Sequence, residues 1–175
     1  MAFQVIDILG RQIERKREFR LALARAREVG RPLLVVGLPQ GDPYGCGYPE
    51  EGDVVLYLHS DTSQCSNQVQ GSVEDLSRWP DGHFAVAFVS HVLEHACDPH
   101  RALDELQRVA GEIVLLYPPW WALSAWVVPG HAWLIHGSGT GTVALTRLRD
   151  RCNVPTYFGG DWTRRDGWAT GPLQR

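Results

Sequence analysis

Hydrophobic and polar positions change period several times along the chain, and each change marks an element. Residues 3–29 read as one helix: good helix formers dominate, no proline interrupts, and Gly30 followed by Pro32 supplies a stop. Their apolar residues fall into two stripes, Ile6, Leu9 and Ile13, then Phe19, Ala22, Leu23 and Ala26. The six-residue step from Ile13 to Phe19 turns the apolar face by about 240° at a helical 100° per residue, so the helix bends there or its halves pack on different neighbours. Residues 32–37 are a short apolar run ending in Gly37, the pattern of a buried parallel strand entering a turn. Residues 38–52 are too rich in turn formers for a long helix. Further strands are predicted at 53–58, 86–90 and 112–117, with a helix at 98–110 that opens on Asp98 as N-cap and Pro99 at its first position. Strand, helix, strand implies a crossover and a parallel sheet. Residues 133–136 and 142–147, joined by a Gly-Ser-Gly-Thr-Gly link, read as a terminal antiparallel hairpin. The expected organisation is an N-terminal helix (1–31), an α/β body (32–149) and an extended tail (150–175).

Length and composition narrow this picture. At 175 residues, 44% hydrophobic and 21% charged, the chain fits one globular domain rather than a disordered or fibrous one. No apolar run is long enough to span a bilayer and no signal peptide is visible. The four cysteines form no CxxC pair, so neither a dense disulfide framework nor a zinc ribbon is expected, and the cytoplasm is the default compartment. The net charge of −3 divides into +4 over residues 1–31, −10 in the middle and +3 over residues 147–175. An acidic body between basic ends argues against nucleic acid as a partner. It is compatible with basic ends that dock on an acidic protein.

Candidate chemistry centres on residues 71–117. His91-Val92-Leu93-Glu94-His95 fits H-x-x-E-H, a zinc-binding pattern when both imidazoles share one helix face. These residues follow a strand and precede Asp98-Pro99, so helical spacing over the whole pattern is not expected, and no metal is assigned. Glu94 and Asp7 read as capping or surface acids, and Cys97 as an unpartnered, inert thiol. Pro118-Pro119-Trp120-Trp121, with Trp126, could wall a substrate pocket, close the core or meet a partner. The glycines at 137, 139 and 141 lack the lysine and helix of a phosphate loop.

The run from Gly71-Ser72-Val73-Glu74-Asp75-Leu76, through Trp79-Pro80-Asp81-Gly82-His83-Phe84, to Ser90-His91-Val92-Leu93-Glu94-His95 and Asp98-Pro99-His100-Arg101-Ala102-Leu103, resembles the class I S-adenosylmethionine-dependent methyltransferases. More weakly, the resemblance extends over residues 32–147. It implies a Rossmann-like methyltransferase fold, a mainly parallel sheet with a terminal antiparallel hairpin, and S-adenosylmethionine as cofactor. By position it implies that Gly37, Leu38 and Gly41 approach the cofactor, that the second-strand acid's place falls at Tyr57 or His59 with Asp61 a few residues late, and that Ser72 and Val73 touch adenine. Ser90, His91 and His95 would line the methionine and substrate side, with His91 or His95 as the base. Three acids of the family pattern are replaced, by Val35, Ser72 and Ala85. Each buried donor left unpaired costs about 1–3 kcal/mol. Two functions are therefore carried forward: methyl transfer to an unidentified acceptor, or an inactive methyltransferase-fold component of a larger assembly, such as a multi-subunit or viral particle, bound through the tail and the N-terminal helix.

Overall fold

The computed structural model describes residues 2–7, 12–37, 53–58, 67–128, 130–138 and 142–150. Six strands, β1 (Ala2–Asp7), β2 (Leu33–Val36), β3 (Val54–Tyr57), β4 (Gln68–Gln70), β5 (Phe84–Ser90) and β6 (Ala110–Tyr117), form one sheet in the order β1-β6-β5-β2-β3-β4. Every neighbouring pair is parallel. Helices α1 (Gln12–Val29), α2 (Pro99–Val109) and α3 (Leu123–Val127) and an antiparallel hairpin, β7 (Trp133–Ser138) with β8 (Thr142–Arg147), complete the described part. The α/β class, the parallel sheet and the terminal hairpin are those expected from the sequence. Among the described residues no helix is long and apolar enough to cross a membrane.

Residues 2–7 correct the sequence reading, because they are a strand and not the first turns of a helix. They lie along β6, with Ala2 opposite Glu112 and Asp7 opposite Tyr117. Phe3, Val5 and Ile6 suit a strand, and the open edge of β6 supplies the ladder; helix propensity is too weak a preference to resist that. Ile6 of the first stripe thus lies in β1, while Ile13 and the second stripe lie in α1. The helix that remains ends where the sequence places its stop: Gly30, at φ 69°, donates to Ala26 O at 3.0 Å.

Side chains alternate across the buried strands and divide the core into two layers. Leu33 and Val35 of β2, Val86 and Phe88 of β5, and Val114 and Leu116 of β6 pack with Phe19, Ala22 and Ala26 of α1. The Phe19 and Phe88 rings meet edge to face, centroids 5.4 Å apart. Leu34, Val36, Val89, Ile113 and Leu115 face the opposite way, onto Ala102, Leu106 and Val109 of α2 and Ile135 of β7. Val35 and Ala85, which replace two of the family's acids, belong to the α1 layer, so those positions are apolar core.

Two polar clamps hold the periphery. Asp53, buried just ahead of β3, accepts from Arg27 Nη1 and Nη2 of α1 at 3.1 and 2.5 Å and from the Leu33 backbone N–H at 2.8 Å. Arg108, near the end of α2, donates to Glu105 and Asp81 and to the carbonyls of Leu76 and Trp79. At the other end of α2, Asp98 accepts from Arg101 N at 3.0 Å, as expected for an N-cap before Pro99. Cys97 is disulfide-bonded, so its reading as an unpartnered thiol does not hold. Spacing along the chain cannot show that two cysteines lie within bonding distance.

Candidate functional site

In an open parallel sheet, ligands sit beyond the carboxyl ends of the strands where the strand order reverses. Here that point lies between β2, whose chain continues to β3 and β4, and β5, whose chain continues to β6. The register sets Val36 beside both Leu56 and Val89, with Leu56 beside Val69. One residue further on, Gly37, Tyr57, Gln70 and Ser90 stand along the same edge.

Gly37 and the chain after Ser90 are in close contact. Gly37 has φ 77°, and a Cβ there would lie 2.4 Å from Val92 Cγ2 and 2.5 Å from Ser90 O. The glycine is thus required by the turn and by the approach of the β5 exit loop. Ser72 and Val73 follow β4 on the same edge but lie three strand spacings from Ser90, about 14 Å at about 4.8 Å each. That span suits the two ends of an extended ligand. Ser72 Oγ accepts from Glu74 N at 3.2 Å, while Val73 is buried in the α2-side core. Leu38, Gly41 and Asp61 lie outside the described residues, as do His59 and most of the tail.

The β5 exit carries the chemistry. β5 is apolar and fully buried until Ser90, after which His91 turns the chain in the left-handed region at φ 54°. Its N–H still bonds Leu116 O at 2.9 Å. A non-glycine residue in that region costs on the order of 1–3 kcal/mol, and such strain collects at functional sites. A single 3-10 turn, Leu93–His95, follows. As the sequence indicated, H-x-x-E-H does not lie along one α-helix.

Burial overturns the reading of Glu94 as a surface or capping acid, since the residue is only 1% exposed. His91 Nδ1 lies 3.2 Å from Glu94 Oε1, close enough for an ion pair. Neither carboxylate oxygen has a hydrogen-bond partner among the described residues, and the buried Ser90 Oγ and His91 Nε2 have none either. Such groups are rare in folded proteins and ask for an explanation. Burial alone would raise the Glu94 pKa, but the adjacent His91, then His95 and His131, outweigh it and bring it down to about 2.

His131 is the residue that sequence reasoning missed. It lies between α3 and β7, where the Ala132 N–H donates to Glu94 O at 2.7 Å and Trp133 Nε1 donates to Ala96 O at 2.9 Å. These bonds dock the hairpin on the 3-10 turn. They set the His95 and His131 rings edge to face, centroids 4.8 Å apart. His131 is 5% exposed, and burial pushes its pKa below the ordinary value despite the opposing pull of Glu94. No local signal marks it, because a histidine 37 positions beyond Glu94 becomes its neighbour only through the fold.

Arg149, just past β8, holds the His131 loop. Its Nη1 donates to Val128 O and His131 O, each at 3.0 Å, and its Nη2 donates to Trp126 O. Arg149→Ala is expected to lower stability by about 1–3 kcal/mol, the range for charge-assisted bonds of this kind. Arg149→Lys should recover only part of that loss, because an ammonium lacks the planar fork. Urea unfolding would read both, and an unchanged midpoint in the alanine variant would remove Arg149 from this role.

On the same edge, Pro118 and Pro119 are buried at the end of β6, but Trp120, Trp121, Leu123, Trp126 and Val127 are exposed. These aromatic residues therefore do not close the core, and the pocket-wall and partner readings remain. Trp126 Nε1 donates to Trp120 O at 2.5 Å, and the Trp120 ring lies 6.1 Å from His136.

A doubly wound parallel sheet, with a glycine turn at its switch point and polar side chains at the β5 exit, defines a Rossmann-like α/β domain, consistent with the methyltransferase fold. Residues 45–112 match the family model described as a methyltransferase domain, and this supports the class I S-adenosylmethionine-dependent methyltransferase family. The matched span runs from before β3 into β6 and includes the Ser90–His95 exit. No curated protein and no solved structure matches the chain.

Proposed function

We propose that this protein transfers the methyl group of S-adenosylmethionine to an acceptor bound on the aromatic side of the β5 exit. The family typically uses that cofactor. The observation that carries the reading is the coincidence of the Gly37 turn with the Ser90–His91 exit at the switch point, beside and within the matched segment. The residues present fit the cofactor at that edge. Gly37 offers bare backbone, Ser90 Oγ is a buried hydroxyl without a partner among the described residues, and Ser72 stands at the far end for the adenine side.

When bound, the cofactor supplies a strongly activated methyl group, so the chain's own task is mainly to position the acceptor. Trp120 and Trp121, exposed just past β6, would hold the acceptor's apolar surface. His91 is the group placed to take a proton from it. With Nδ1 directed at the Glu94 carboxylate, its Nε2 keeps a lone pair that no described residue engages.

Calorimetric titration of the full chain with S-adenosylmethionine and S-adenosylhomocysteine tests the reading. Dissociation constants of about 10–100 µM are expected, equivalent to about −7 to −5.5 kcal/mol. His91→Ala should leave that affinity nearly unchanged while lowering turnover by about 100-fold or more, once an acceptor screen has found a substrate. No heat from the folded protein at millimolar ligand would overturn it.

A further inference from the structure

We propose that Glu94, His95 and His131 form a binding site for one divalent transition-metal ion of the zinc class. Each offers one ligand atom, and the three atoms lie within 4.8 Å of one another. Metal–ligand bonds of about 2.0–2.2 Å place tetrahedral donors about 3.3–3.5 Å apart, so small side-chain rotations close the set. The inference stands apart from methyl transfer, since it rests on these side chains and not on the cofactor edge.

Hydrogen bonding argues for a cation more strongly than proximity does. His95 Nδ1 lies 2.9 Å from Gly130 O, and His131 Nδ1 lies 3.1 Å from Ala125 O. A carbonyl only accepts, so each ring carries a proton on Nδ1, and in its neutral form it keeps a lone pair on Nε2. This is the arrangement by which proteins orient metal-ligating histidines. The third member, the buried Glu94 carboxylate, has no hydrogen bond to either oxygen among the described residues. Two imidazoles and a carboxylate are thus gathered in a largely buried site whose neighbouring donor is His91 Nδ1 on one carboxylate oxygen, an arrangement that a bound cation would stabilise further.

The rest of the site follows the same logic. His91 Nδ1, 3.2 Å from Glu94 Oε1, is placed to steady one carboxylate oxygen while the other ligates. The backbone bond from Ala132 N to Glu94 O fixes the two contributing segments against each other at 2.7 Å. Two nitrogens and one carboxylate suit zinc, cobalt or nickel better than magnesium or calcium, which prefer all-oxygen sets. Three protein ligands also leave a coordination position for water or an acceptor atom.

The test uses the full chain, stripped with a chelator and titrated with Co2+ as an optical probe, then with Zn2+ in competition. One ion per chain is expected, with visible absorption bands that Zn2+ abolishes. Glu94→Gln and His131→Gln should each weaken binding by about 100-fold or more, beyond the roughly 10–100-fold that outer-shell partners cost. His100→Gln, which changes an exposed imidazole on α2, should leave binding unchanged. If Glu94→Gln fails to fold by circular dichroism, His95→Gln at a half-buried ring carries the same comparison. Absence of uptake by the stripped wild-type chain, or equal uptake after any of the three ligand substitutions, would overturn the site.

Discussion

Gly37→Ala is expected to destabilise the domain by about 2–5 kcal/mol and to abolish S-adenosylmethionine binding. The left-handed backbone at φ 77° costs an L residue about 1–2 kcal/mol. Steric overlap adds to this. The new Cβ would lie 2.4 Å from Val92 Cγ2, which can rotate, and 2.5 Å from Ser90 O, which belongs to a buried central strand and cannot yield without moving β5. Overpacking of that sort typically adds about 1–3 kcal/mol. The displaced β5 exit would also carry Ser90 and His91 away from the cofactor edge. Gly30→Ala is the control, because Gly30 is also left-handed, at φ 69°, but a Cβ there meets nothing within 4 Å. It should show the conformational cost alone and leave ligand binding intact. Equal midpoints in urea for the two variants, with retained calorimetric binding by Gly37→Ala, would refute the packing argument.

Asp53→Ala should have a comparable or larger effect on stability without touching the site. Its carboxylate is almost fully buried and takes both Nη atoms of Arg27 as well as the Leu33 N–H. Removing one partner of a buried pair costs about 3–5 kcal/mol, and because Arg27 is only half-buried the lower end of that range is expected. A domain of this size is stable by only about 5–15 kcal/mol in total. The substitution therefore removes a fifth of the stability or more. Asp53→Asn, which can still accept from Leu33 N but not neutralise Arg27, should fall between the two. Urea midpoints would be measured at constant m-value, and a loss below about 1 kcal/mol for the alanine variant would show that water replaces the carboxylate.

What could be read from the sequence follows the range of the forces involved. The buried strands β2, β5 and β6 announced themselves as apolar runs, and α2 by its cap, because burial on both faces and capping are local demands. β1 was hidden because residues 2–7 have no local feature that outvotes a helix; their partner is β6, far along the chain. β4, only three residues long, and the single-turn α3 offer too few positions for any period to appear. At the site, Gly37 and the Ser90–His95 stretch were legible as a turn glycine and a motif. The depth of Glu94 was not, since a carboxylate in sequence carries no mark of whether imidazoles will surround it. Nor was the importance of His131, which depends on the docking of Ala132 on Glu94.

The placement of β1 also orders events in time. Ala2 pairs with Glu112 and Asp7 with Tyr117, so β1 has no partner until more than a hundred further residues have been made. At about 5–20 residues per second that wait lasts about 5–20 s. Loop closure adds little equilibrium cost at such lengths, because it grows only with the logarithm of the separation, yet contacts of this range slow folding. During the interval the nascent chain carries an unpaired strand. Chaperone capture there, or pairing with the same segment of a neighbouring chain, competes with completion of the sheet, whereas the adjacent β2–β3 pair closes over about twenty residues.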